Sequence, residues 1–434
     1  MQARAPYVLH AFHALPMQPI PTADPSQSNP RHALRDAGAW VQAFVAIALL
    51  CHASLTVVRA PNTLTWKLAI LATEFGHWLA CATALLLVLF LVLRRRLTVR
   101  PSRLDAGLRG ITALLLLGST GLYLSPTVRA SIVARHLQSE LPPLFPAPSD
   151  SPSQAQPAPF SLSRLWIGDG QTPPASPPER LFCKRTEEYE LPLLFWRSDK
   201  ASHAGPAPCV LLLHSGGWNG GSPEEFESFN THLASRGYAV ASLEYRLAPR
   251  WTWPSQREDV ADALSYLHAH AAQLGIDPER FILMGRSAGG QIAEAAAYGL
   301  HHPSVRGVIA FYAPADVLFA RQYAVEDDVL NSLALLRSYL GGDPDTRAAA
   351  YESASAPLLV TAQSPPTLLV HGTRDELVWN LQSRRLHARL RENKVACFLL
   401  ELPWATHAFD YNPRGPGGQL STWAVERFLE HVTR

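Results

Sequence analysis

Hydrophobic and polar positions divide this chain into two unlike parts. From Ala39 to Val58, from Phe75 to Leu93 and from Gly110 to Val128 it carries no Asp, Glu, Lys or Arg. Each run approaches the roughly 20 apolar residues that a helix needs to cross a bilayer. The second ends in an unbroken apolar stretch, Ala84 to Leu93, whereas the third is softened by Gly118-Ser119-Thr120-Gly121. Three such runs in succession predict transmembrane helices at about 39–58, 75–93 and 110–128, in preference to buried helices of a water-soluble domain. A cleaved leader fits poorly, because the first run begins near residue 39, a second follows it, and no clear small-residue cleavage pattern is present. Glu74 and His77, three apart near the start of the second run, read as anchoring or packing groups on one helix face rather than a proton relay.

Beyond the third run the pattern changes twice. Leu141-Pro142-Pro143, Ser149-Asp150-Ser151-Pro152-Ser153 and Thr172-Pro173-Pro174-Ala175-Ser176-Pro177-Pro178 predict an extended tether. Short apolar runs then alternate with helical stretches: Val210–Leu213, Tyr238–Leu243, Phe281–Met284, Gly307–Phe311, Thr367–Val370 and Cys397–Leu400. That alternation predicts an α/β domain, a mostly parallel sheet with helices on both faces and with functional groups at the C-terminal ends of its strands. The resulting division is an N-terminal tail (1–38), a transmembrane region (39–130), a Pro/Ser-rich linker (131–180) and the α/β domain (181–434). Residues from about Val317 to Ala356 interrupt the strand pattern with helical stretches and read as a small cap.

Charge sets the expected orientation. Arg94-Arg95-Arg96, Arg100, Arg103 and Arg109 lie between or beside the second and third runs, whereas the first connection carries only Arg59, Lys67 and Glu74. The positive-inside bias places the arginine loop in the cytoplasm and everything after Val128 on the far side, periplasmic in a bacterium. The whole chain has 38 basic and 36 acidic residues, a net charge of +2, and so lacks the basic field that nucleic-acid binding requires. Cys51, Cys81, Cys183, Cys209 and Cys397 show no metal-ligand spacing.

Candidate chemistry centres on Gly285-Arg286-Ser287-Ala288-Gly289, directly after the apolar run Phe281–Met284. A strand feeding a sharp turn of small residues lifts a serine hydroxyl clear of the backbone, which makes Ser287 a candidate nucleophile. His214-Ser215-Gly216-Gly217-Trp218 follows the first buried run, so Gly216 and Gly217, with Ala288 after the nucleophile, are candidate oxyanion-hole donors. His214 reads as a brace for that loop rather than a proton carrier. Asp375, after Thr367–Gly372, is the candidate orienting carboxylate, with Glu376 as the neighbouring alternative. His407, after the last apolar run, is the candidate general base and acid. The chain order Ser287, Asp375, His407 is the α/β-hydrolase order. Trp218, Trp251 and Trp253 lie in or near loops at the same face, where they line an acyl pocket or pack as core.

From about Leu181 to the C-terminus the chain resembles the α/β-hydrolase superfamily, in its hormone-sensitive-lipase-like esterase branch. The elbow and His214-Ser215-Gly216-Gly217 carry the likeness, together with Tyr245-Arg246-Leu247-Ala248-Pro249, Glu258-Asp259-Val260 and Ile276-Asp277-Pro278-Glu279-Arg280. The resemblance implies cofactor-free hydrolysis of a small-molecule or lipid carboxylic ester through an acyl-enzyme, here by a membrane-anchored serine esterase. Acyl transfer by the same triad, and a catalytically silent domain that binds a ligand or partner, remain as alternatives. Two positions depart from the family pattern. Ser215 replaces the first of three glycines after the histidine, which leaves the donor positions intact. Arg286 stands where many relatives carry an acid, either paired with a nearby carboxylate or holding an anionic substrate group.

Overall fold

The computed structural model describes residues 30–97, 103–146, 157–168, 177–199, 205–326 and 328–434. Most of the expected N-terminal tail, Arg100, and the Ser149–Ser153 and Thr172–Ser176 segments of the expected tether lie outside the described residues.

An eight-stranded sheet organises the C-terminal part: β1 (Glu179–Arg185), β2 (Glu190–Trp196), β3 (Ala207–Leu213), β4 (Ala239–Leu243), β5 (Ile276–Arg286), β6 (Val305–Phe311), β7 (Thr367–Gly372) and β8 (Cys397–Leu402). Their spatial order is β1-β2-β4-β3-β5-β6-β7-β8. β1 and β2 pair antiparallel, β2 runs antiparallel to β4, and the rest are parallel. The strands β3 and β4 are buried at every position because helices cover both faces, and all but Ser242 of their residues are apolar. Their alternate residues therefore enter two different cores. Leu211 and Leu283 pack with Val260, Leu264 and Ile292 on one face. Val210, Leu212, Ile282 and Met284 pack with Leu420, Val425 and Phe428 on the other. The helices Val317–Tyr323, Ser332–Leu340 and Pro344–Ala354 form the cap region between β6 and β7.

Among the described residues four helices of twelve or more residues precede the sheet, α1 (Pro30–Ser54), α2 (Thr63–Glu74), α3 (Gly76–Leu97) and α4 (Arg103–Leu144), followed by a six-residue helix at Leu162–Ile167. Stretches of α1 (Ala37–Ser54), α3 (Gly76–Leu93) and α4 are long and apolar enough to cross a membrane. Both α1 and α3 pack along α4. Tyr123 of α4 ties them together, since its hydroxyl lies 2.7 Å from His52 Nδ1, and Thr83 and Thr120 hydroxyls meet at 2.9 Å.

Two features differ from the sequence expectation. The third apolar run belongs to a helix that continues to Leu144, well into the stretch read as linker. Along it Ala130, Ala134, Leu137, Leu141 and, just past its end, Phe145 recur at helical spacing and are buried in the second core of the sheet. Proline-rich composition misled here because Pro142 and Pro143 stand in the last turn of the helix, where the N–H bonds they forgo are followed by no further turn that the break could disturb. The second difference is a break at Phe75, which separates α2 from α3 and removes Glu74 and His77 from a common helix face. His77 packs edge-on against Trp166, while Glu74 turns into the sheet domain.

Candidate active site

Ser287 sits between β5 and the helix Ala288–Leu300, with φ +52° and ψ −121°. A non-glycine residue there is strained, and the surroundings hold it: its N–H donates to Phe311 O at 2.9 Å and its carbonyl accepts from Gln291 N–H at 3.1 Å. The turn is possible because the residues two positions to either side, Gly285 and Gly289, lack side chains. A Cβ on Gly289 would stand 2.2 Å from the carbonyl oxygen of Leu213, and one on Gly285 would stand 2.2 Å from that of Gly289.

The three candidate groups meet. Ser287 Oγ lies 3.0 Å from His407 Nε2, and His407 Nδ1 lies 2.7 Å from Asp375 Oδ2. In the matching tautomer the serine hydroxyl donates to Nε2 and Nδ1–H donates to the carboxylate. Asp375 Oδ1 also accepts from the N–H groups of Leu377 and Val378, at 2.9 and 2.8 Å. Burial alone would push this carboxyl up, but attraction to His407 and hydrogen bonds from His371 and His407 outweigh it and hold it at about 2. Glu376, the alternative, points elsewhere and accepts from Thr406 Oγ1 at 2.7 Å. Burial pushes its carboxyl up to about 7.

A cavity of about 430 Å³ opens beside Ser287. Gly217 and Ala288 line it with Ser287, and Phe319, Val325, Leu330 and Leu335 supply apolar wall from the cap region. Gly216 (φ +114°) and Gly217 (φ +60°) turn the loop after β3 toward this point. His214 is stacked on Tyr245 at 4.1 Å, with its Nδ1 2.7 Å from Ser215 O. Those contacts suit a brace. Among the tryptophans, Trp218 lines the cavity and donates its Nε1–H to Gln291, which also accepts from Tyr339 of the cap region. Trp253 is buried core, and Trp251 packs against Tyr189.

Arg286 faces away from the cavity. Its Nε donates to Asp410 at 2.5 Å, its guanidinium lies over the Phe226 ring at 3.9 Å, and Asp410 also accepts from Tyr312 Oη at 2.7 Å. The pairing reading of Arg286 matches this geometry. All five cysteines are free. Among the described residues no group of three His, Cys, Asp or Glu side chains is placed to hold a metal ion.

Several neighbours of the site escaped sequence reading. His371 Nε2 approaches Asp375 Oδ2 at 3.3 Å from inside β7, where a lone histidine in an apolar run carries no distinguishing pattern. Arg59 and Ala60 line the cavity, and Trp66 Nε1–H donates to the carbonyl of His407 at 3.0 Å. Only tertiary packing brings these N-terminal residues to the site.

The chain is similar to known proteins. A family model described as BD-FAE matches residues 198–390. The chain is 27% identical to the probable carboxylic ester hydrolase LipM of Mycobacterium tuberculosis, over 92% of this chain and 94% of that protein. It is 29% identical to the esterase LipC of the same organism, over 55% of this chain and 62% of that protein. Among solved structures, a bacterial heroin esterase superposes with a TM-score of 0.51 at 26% identity, covering 59% of this chain and 84% of its own.

Proposed function

Because this chain belongs to the α/β-hydrolase superfamily, in its hormone-sensitive-lipase-like esterase branch, and is a carboxylic ester hydrolase, we propose that Ser287, His407 and Asp375 are its catalytic triad and that its N-terminal helices anchor it in a membrane. The 3.0 Å approach of Ser287 Oγ to His407 Nε2 carries this reading.

In the proposed reaction His407 takes the Ser287 proton as Oγ attacks the ester carbonyl carbon. The carbonyl oxygen becomes an oxyanion held by N–H groups of Gly216, Gly217 and Ala288, each such donor being worth about 3 kcal/mol of barrier. Collapse expels the alcohol, which receives its proton from His407 and leaves an acyl-Ser287. Water, deprotonated by His407, then attacks the acyl carbon; the acyl C–Oγ bond breaks, Ser287 Oγ takes the proton back from His407, and the carboxylic acid leaves. Asp375 keeps Nδ1 protonated and balances the imidazolium, and its low carboxyl pKa suits that task. The apolar cavity wall fits the acyl or alcohol part of a small-molecule or lipid ester.

Three spans place the α1–α3 connection and the hydrolase domain on one side of the membrane. Contacts between α2 and the His407 loop support that topology, and the positive-inside bias of the arginines at 94–96 favours a non-cytoplasmic side for it. Full-length protein in detergent should hydrolyse a p-nitrophenyl ester and label with a fluorophosphonate. Ser287→Ala should lower kcat by about 10⁶-fold and abolish labelling. An active, unlabelled alanine variant would sink the assignment. For topology, a reporter fused after Val128 should report the non-cytoplasmic side.

A further inference from the structure

The loop that carries His407 runs from the end of β8 to the helix Pro416–Val432, and a single distant helix grips it at four points. Trp66 Nε1–H donates to the His407 carbonyl at 3.0 Å. Glu74 accepts from Trp404 Nε1–H at 3.1 Å and from Gly417 N–H at 2.8 Å. The Glu74 backbone carbonyl accepts from Asn412 Nδ2 at 3.0 Å. The partners bracket His407 on both sides in sequence. Glu74 is fully buried, and its carboxylate occupies the first turn of Pro416–Val432, where unpaired N–H groups and the helix dipole favour an acceptor. The receiving turn is shaped for it: a Cβ on Gly415 would stand 2.4 Å from Glu74 Oε2, and one on Gly417 would stand 3.1 Å from Oε1. Just before α2, Arg59 Nη2 donates to Thr373 O at 3.3 Å, two residues from Asp375, and Arg59 and Ala60 form cavity wall.

We propose that the connection between the first two apolar helices, Arg59 to Glu74, is a positioning element of the active site, in which Trp66 and Glu74 hold the His407 loop at the distance that proton transfer from Ser287 requires. The proposal rests on the triad reading above. Neither residue touches the reacting atoms. Trp66 acts through the His407 carbonyl and Glu74 through the side chains of Trp404 and Asn412 and the Gly417 N–H, and a displacement of His407 by an ångström is enough to cost about 100-fold in rate. A consequence is that membrane anchoring and catalysis share one structural unit.

The test uses the full-length chain in detergent, with p-nitrophenyl ester kinetics and the rate of fluorophosphonate labelling normalised to folded protein by circular dichroism. Trp66→Phe removes one donor and little volume, and should lower kcat about 10-fold with KM unchanged, since His407 position matters in the transition state and not in ester binding. Glu74→Ala should lower kcat about 100-fold, and Glu74→Gln, which keeps one acceptor, should recover part of that loss. Lys67→Ala, on the exposed side of α2, should match the parent. If Glu74→Ala does not fold, Trp66→Phe and Glu74→Gln decide. Unchanged kcat in both, or equal changes in kcat and KM, overturns the positioning role while leaving the esterase assignment intact. A Ser287→Ala variant that retains activity would instead overturn the triad on which the proposal stands.

Discussion

Ser287 and His407 reach each other by opposite means. Ser287 is held by its immediate sequence neighbours, a strand end, three small glycines and the first turn of the following helix. His407 lies on a loop held by Asp375 and Glu376 after β7 and by Trp66 and Glu74, more than 300 residues earlier in the chain. The proposed nucleophile is thus a local structure and its proposed base a tertiary one. Strain at the elbow persists because short-range geometry over-determines it. The base has no such local lock and depends on packing that folding must first assemble.

The largest expected effect tests whether Asp375 joins these two halves. Asp375→Asn keeps the shape of the side chain but favours the wrong tautomer of His407, and should lower kcat by about 10⁴-fold with little change in ester KM. A loss of only a few-fold would mean that the loop contacts alone fix the imidazole, and would shift weight from Asp375 to Trp66 and Glu74. The next effect concerns α4. Phe145 is fully buried and meets the Phe428 ring edge-on at 5.0 Å. Phe145→Ala should cost about 3–5 kcal/mol of stability, measured by denaturant unfolding, with kcat of the folded fraction unchanged. A plain tether would lose less than about 0.5 kcal/mol on the same substitution.

What was legible in the sequence follows the same division. The elbow, the glycine loop after β3 and the order Ser287, Asp375, His407 are local motifs attached to strand ends, and the structure brings Gly217, Ser287, Ala288 and Asp375 to one cavity and His407 to Ser287 and Asp375. The strands were legible because a doubly covered sheet needs continuous apolar runs. Hidden features were those in which local composition and tertiary role disagree. The stripe from Ala130 to Phe145 alternates with polar and charged residues and ends in prolines, so it resembled a linker although it packs a core face. Glu74 looked like a membrane-edge polar group because no local pattern reveals that Trp404 and Gly417 await it. His371 and Trp66 read as ordinary members of apolar segments.

The smallest expected effect is also the most specific to the tertiary half. Burial pushes the Glu74 carboxyl up to about 8, with Asp410 adding to the rise and hydrogen bonds from Gly417 and Trp404 opposing it. An unfolded chain ionises this group near 4.5, so between 4.5 and about 8 the folded state binds a proton that the unfolded state has released. Its contribution to stability is therefore complete below the lower value and is lost as pH rises through the upper one. Within that window one such proton lowers stability by about 1.4 kcal/mol per pH unit. Asp259 and Glu376, also raised, act in the same direction, so the slope of the parent alone does not isolate Glu74. The difference between the parent and Glu74→Gln does, because glutamine keeps the shape without titrating. Denaturant unfolding at pH 6 and pH 7 should give a shallower pH slope for Glu74→Gln than for the parent. Equal slopes would mean that the helix N-terminus keeps Glu74 ionised at neutral pH, and that its grip on the His407 loop is that of a charge rather than of a neutral acceptor.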